Sequence, residues 1–308
     1  MVYRVFRLSR PLQFTSWDFN PMSENAASPL QVGRVLNTSL KVAAGGFLLY
    51  FLMALIANVP NLIVELLSPA PPPPWVDGEM PPEVGPETNP FQEGPAAFGL
   101  LALVLFGILL SFVMSASATY AMVARLRGTQ FDLPQIFAGG LRALLPLLGV
   151  LVVLFAVFLG IALVAGIVWA AIAYGIAGDP KSPLGVLALP IFLVPLLIVS
   201  VRLTPVVPVV VVERAGIIAS LQRSAGLTKR SFWQILGVFV IAIVFLTAFF
   251  AVLLAVPLAI LGPEALGSPP LVVVNALLSS VAIVYFWALT AVIYYELRMA
   301  EETGAVPA

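Results

Sequence analysis

The chain has 308 residues, 61% of them hydrophobic and 10% charged, with 15 basic and 15 acidic side chains and no formal net charge. A mean hydropathy of +1.06 excludes a soluble globular domain, where about 25% of residues are charged, and the neutral balance gives no bias toward nucleic acid. Cysteine and histidine are both missing, which removes disulfides, thiolate nucleophiles, sulfur-ligated metals and the commonest general base.

Residues 1–40 are mixed and polar and lack the apolar core and cleavage site of a signal peptide. They are expected to form a cytoplasmic segment with an amphipathic helix. Six apolar runs then follow, at about 41–67, 97–123, 144–175, 185–212, 234–261 and 271–296. Each reaches the roughly 20 residues that a helix needs to cross the hydrocarbon core. The predicted fold is an all-α polytopic membrane bundle, with residues 41–298 as its membrane domain and 299–308 as a cytoplasmic tail.

The first run carries Asn58, Asn61 and Glu65 around Pro60. Asn61 and Glu65 share a helix face, and with Asn275 of the sixth run they are candidates for a polar pocket or for ordinary hydrogen bonding between helices. Residues 68–96 hold ten prolines and the acids Asp77, Glu79, Glu83, Glu87 and Glu93, without a Lys or Arg. This composition predicts an extended outer loop that buries too little to fold alone. The rows Ser111–Ser115–Thr119 and Ala162–Gly166–Ala170 recur every four residues, which suits close helix packing.

The fourth run holds Pro190, Pro195, Pro205 and Pro208 and is predicted to be kinked. It also carries Arg202, 11 positions before Glu213. An arginine at that depth is a functional-site candidate by default, unless its long side chain snorkels to the surface.

Fourteen of the 15 cations fall before the first run, between the second and third, at or after the end of the fourth, or after the sixth; the exception is Lys181. The positive-inside rule therefore predicts that both termini are cytoplasmic.

Three inner segments resemble one another: SPLQVGRVLNTSLKV from Ser28, DLPQIFAGGLRALLPLLGV from Asp132, and IIASLQRSAGLTKRSFWQILGV from Ile217. Ser28 and Asp132 are predicted N-caps, each with a following proline and with Gln31 or Gln135 three residues on. Gly149-Val150 and Gly237-Val238 occupy matching places. The pattern predicts three pseudo-repeated hairpins, each entered through a short amphipathic interfacial helix. On the third segment Ile217, Ile218, Leu221 and Ala225 share one arc, Gln222, Arg223, Lys229 and Arg230 lie on the other, and Gly226 is the expected helix stop. Arg214, Arg223, Lys229 and Arg230, with Trp233 at head-group level, are the candidate interface for anionic lipid of the inner leaflet.

The run VRLTPVVPVVVVERAGIIASLQRSAGLTKRSFWQILGV from Val201, with IYYELRMAEETG from Ile293, resembles the membrane domain of some bacterial glycerophosphoryl diester phosphodiesterases. The matching residues are Glu213, Arg223-Ser224, Leu227-Thr228, Phe232-Trp233 and Tyr294-Tyr295-Glu296-Leu297-Arg298. The resemblance covers about residues 200–303 and implies a stand-alone module of the bacterial cytoplasmic membrane. The phosphodiesterase barrel of that family needs paired histidines, so no catalytic residue carries over.

The functional expectation is a non-catalytic accessory or scaffold module, with roles in envelope lipid or protein handling and with membrane lipid and an unknown protein as partners. The alternative is a small-molecule or lipid permease with a polar cavity between hairpins. No enzyme activity, cofactor or metal is expected.

Overall fold

The structure is a computed structural model, and it describes residues 30–67, 95–176, 189–262 and 268–303. The regular elements among these residues are all helical. They are α1 (Val32–Gly45), α2 (Phe47–Leu67), α3 (Pro95–Leu126), α4 (Leu133–Ala170, running on through a π turn at Ala171–Ile176), α5 (Leu189–Arg202), the short α6 (Val206–Pro208) with a π turn at Val209–Glu213, α7 (Ile217–Thr228), α8 (Phe232–Leu261) and α9 (Pro269–Glu302). Six helices among the described residues are long and apolar enough to cross a membrane: Phe47–Leu67, Phe98–Leu126, Leu133–Ala170, Phe192–Glu213, Phe232–Ile260 and Pro269–Glu302. These are the six runs of the sequence. Ser28 and the Pro-rich stretch up to residue 94 lie outside the described residues.

α9 is the axis of the bundle and packs on α1, α2 and α3. Its stretch from Ala288 to Tyr294 is almost wholly buried, including Leu289, Ala291, Val292 and Ile293. α3 answers with small side chains: Ala116, Ser117, Ala118, Thr119 and Ala121 are all buried. Without a hydrophobic drive between helices in lipid, close approach of such residues is what gains dispersion energy. Gly140 of α4 shows the limit of that approach, because a Cβ there would overlap the Ser117 Oγ and the Val113 carbonyl. On the other face of α3, Gly107 fits against Pro60 of α2, whose Cβ would lie 2.8 Å from an added methyl group. The Ser111 row therefore packs as expected, and Ser111 Oγ donates to the Ala57 carbonyl at 3.3 Å. The Ala162–Gly166–Ala170 row does not: Ala162 and Gly166 are exposed, and nothing lies within 4 Å of Gly166.

The three inner segments diverge. α1 ends at Gly45-Gly46, where the Arg125 guanidinium packs against Gly45 and Nη1 donates to its carbonyl at 2.6 Å. α7 ends at Thr228, two residues beyond the expected stop at Gly226, and α8 starts afresh at Phe232. The middle segment is different, because it is one continuous helix with its span. α4 has 38 residues, about 57 Å at 1.5 Å per residue, against a hydrocarbon core of about 30 Å. Asp132 is its N-cap position, with Pro134 in the first turn, but the carboxylate makes no capping hydrogen bond. α4 thus overshoots the apolar layer at its Leu133 end, which is the end of the bundle where the cations gather.

Pro205 and Pro208 interrupt the fourth span as expected, and Val206, Val209, Val210 and Val211 are driven into the core beside α3 and α4. α8 is held only near its start, by buried Ile235, Val238 and Ala242 and by Phe239 stacked on Phe286 at 6.3 Å. Beyond that point Val244, Phe245, Phe249, Val252 and Ile260 are all exposed, as lipid-facing positions should be.

Candidate functional site: a charged layer at the basic end

The polar chemistry of the described chain concentrates where α9 emerges from the bundle. Glu213 closes the π turn, and its Oε1 accepts from the Tyr294 hydroxyl at 3.0 Å and from Arg298 Nη1 at 3.5 Å. Its Oε2 accepts from Arg223 Nε at 3.2 Å. Arg223 turns the rest of its fork on Glu301, with Nη1 donating to Oε1 at 2.7 Å and Nη2 to Oε2. The bidentate bond to Glu301, aided by the nearby Glu213 charge, holds the Arg223 guanidinium above its usual pKa. Arg298 also donates from Nε to Glu302 at 2.8 Å. A second bridge, Arg34 to Glu296 at 2.7 Å, fastens α1 to the same stretch of α9. One layer of ion pairs therefore joins α1, the end of the fourth span, α7 and α9.

The backbone joins in. Pro205 has no N–H and the Val206 N–H bonds to Leu203, so the Arg202 carbonyl is freed from the helix ladder. It accepts instead from Ser224 Oγ at 2.9 Å and Thr228 Oγ1 at 3.1 Å. In a medium without water a freed carbonyl must find such a partner. This changes the reading of α7. Its buried stripe is Ser220, Ser224 and Thr228, while Ile218 is exposed. Ser224 and Thr228 face the bundle because they have a carbonyl to satisfy, Ile217 and Leu221 of the apolar arc pack inward beside them, and Ile218 is the member of that arc turned outward.

The expected site residues separate into groups. Arg202 is the last residue of α5, and its carbonyl, bonded to Ser224 and Thr228, lies against α7. Asn58 donates to Ser279 Oγ at 2.7 Å and to the Ala276 carbonyl at 3.3 Å. It is an interhelical bond between α2 and α9. Asn61 bonds to Asn58 at 3.4 Å, while Glu65 and Asn275 are exposed. The structure does not bring these four together as a pocket, because α9 presents Ser279 rather than Asn275 to Asn58. Among the expected lipid-facing cations, Arg223 is turned into the protein and held by two carboxylates. Arg214, Lys229 and Arg230 are exposed, and Trp233 is 79% exposed.

Glu301 and Glu302 fall in the segment 299–308 that follows the last apolar run, and α9 continues through them. Their spacing from Arg298, i+3 and i+4, is the signal that marks a helix still running.

A pocket of about 450 Å³ opens beside this layer. Tyr120 of α3, Gln135, Gly139, Arg142 and Pro146 of the overshooting end of α4, and Arg214 line it.

Fold and layer together define a multi-pass helical membrane protein whose motif residues meet at one end. Residues 30–297 match the family model described as Domain of unknown function (DUF7847), and the chain belongs to that family. No curated protein and no solved structure matches the chain.

Proposed function

We propose that the chain is a non-catalytic module of the bacterial cytoplasmic membrane, an accessory or scaffold element whose basic end faces the cytoplasm and contacts anionic lipid. The observation that carries this reading is the use made of the charged side chains. Glu213, Glu296, Glu301 and Glu302 each accept from an arginine of the same chain. A carboxylate held in this way is fixed as a strut between helices and is poorly placed to shuttle protons to a substrate. Exposed Arg214, Lys229 and Arg230, with Trp233 beside them, are left to meet head groups. The likeness of residues 200–303 to the phosphodiesterase membrane domain supports a module that works beside other proteins.

The test is purification of the full chain in mild detergent, with mass spectrometry of the retained lipids and proteins. Enrichment of anionic lipid and one reproducible protein partner is expected. Single cysteines at positions 80 and 222 give the orientation, and labelling at 222 but not at 80 by an impermeant thiol reagent in intact cells would overturn it.

A permease is the second reading, favoured by the interruption of the fourth span at Leu203–Glu213 next to the pocket. Broken helices of this type line transport sites. Solute or lipid flux in proteoliposomes containing only this chain would favour it over the scaffold.

A further inference from the structure

We propose that the pocket between α3, α4 and the end of the fourth span is a built site for the phosphate head group of an anionic membrane lipid. This rests on the reading that the basic end meets lipid, and deepens it from a diffuse surface to one place.

Charge is the first argument. Arg142 and Arg214 both line the pocket, and no carboxylate does. Among the described residues neither has an ion pair or a hydrogen-bonded side chain, whereas Arg34, Arg223 and Arg298 in the neighbouring layer are all paired with glutamates. Among the described residues Arg127, Arg202 and Arg230 are likewise without an ion pair, so what sets the exposed Arg142 and Arg214 apart is that both line one concavity. Arginine suits phosphate because its fork matches two oxygens at once. Tyr120 and Gln135 add a hydroxyl and an amide, donors that bring no competing charge.

Lining and size are the second argument. Ala138, Ala143, Pro146, Val210 and Val211 make the rest of the wall apolar, which suits a phosphate joined to a glycerol and acyl chain better than a bare ion. The volume of about 450 Å³ falls inside the roughly 300–1,000 Å³ of small-molecule sites.

Height is the third. Arg142 is the first charge met on leaving the apolar stretch of α4, and no charged residue follows until Asp179. Arg142 therefore bounds the apolar stretch of α4 on the side where the other cations collect.

The backbone supplies a fourth. Arg214 is the one non-glycine residue with positive φ among the described residues, at 53°. Glycine is the usual occupant of such a helix end, so an arginine held there against its preference is an outlier that fits a functional demand.

The test uses the full chain in mild detergent and native mass spectrometry, with phosphatidylglycerol, phosphatidylcholine and soluble glycerol 3-phosphate as separate probes. One phosphatidylglycerol should bind in preference to phosphatidylcholine. Arg142→Gln with Arg214→Gln should weaken that binding at least about tenfold, since each cation near a lipid surface contributes about a factor of five. Gly139→Leu should block the pocket without changing its charge, because the ring of Tyr120 lies 3.6 Å from an added Cβ and leaves it room. Arg214→Gly removes the cation but suits the positive φ, so it should weaken binding while the melting temperature stays level or rises. Lys229→Gln with Arg230→Gln, outside the pocket, should retain most of the binding. Equal losses in that control and in the pocket variant would show a diffuse surface and overturn the site. Undiminished binding in Arg142→Gln/Arg214→Gln would also overturn it. Displacement of the lipid by equimolar glycerol 3-phosphate would overturn a membrane source for the phosphate. None of these failures bears on a protein partner, which the purification above tests by itself.

Discussion

Arg223 and Arg214 belong to the same connector, nine residues apart, and meet opposite fates. Arg223 lies under the end of α9 and is gripped by Glu213 and Glu301. Arg214 shares a pocket with Arg142 and Gln135 of α4, and no acid lines it. What differs is the neighbouring helix. A cation's role at a membrane surface is set by whether a carboxylate from a distant part of the chain reaches it. The paired region works as a clamp, while the unpaired one keeps its charge for something outside the protein.

The comparison breaks most visibly at Arg223. Arg223→Gln leaves Glu213 and Glu301 without their main partner, and should cost about 2–3 kcal/mol, read as a lower melting temperature in detergent. Arg223→Lys should recover less than half of that, because an ammonium group cannot reproduce the bidentate fork and reach Glu213 as well. Full recovery by lysine would mean that only diffuse charge matters here.

A smaller effect is expected where the clamp depends on the backbone. Ser224→Ala with Thr228→Val strands the Arg202 carbonyl, and should lower stability by about 1–2 kcal/mol. Faster amide exchange around Leu203–Val206 should accompany it. Unchanged exchange would show that the carbonyl finds another donor.

The smallest effect belongs to the free cations. Lys229→Gln with Arg230→Gln should leave the melting temperature where it is, since neither side chain is paired within the protein and exposed positions of this kind contribute little. A drop comparable to that of Arg223→Gln would erase the distinction between the two regions.

Much of this was legible in the residues. The six spans, the interruption at Pro205 and Pro208, and the close approach at Ser111 follow from hydropathy, proline chemistry and small-residue spacing. Glu213, Arg223, Tyr294, Glu296 and Arg298 stand out by resemblance, and the structure joins Glu213 to Arg223, Tyr294 and Arg298. Angular periodicity caught only part of α7: Ile217 and Leu221 of its apolar arc pack inward, but periodicity weighs side chains by polarity alone and missed the burial of Ser224 and Thr228. It has no way to know that a freed carbonyl will draw Ser224 and Thr228 inward. The fusion of the α4 lead with its span was also hidden, since helix-start signatures look the same whether or not a break follows.

Sequence by itself determined the number of crossings, the end at which the cations collect and the place where the fourth helix fails. These are local properties, set by runs of apolar residues and by a missing proline N–H. Tertiary structure decided which charges are neutralised. Arg34 meets Glu296 across 262 positions and Arg223 meets Glu301 across 78. Such pairings depend on helices packing within a few ångströms of one another, and Coulomb attraction weakens with distance in space, whatever the separation along the chain.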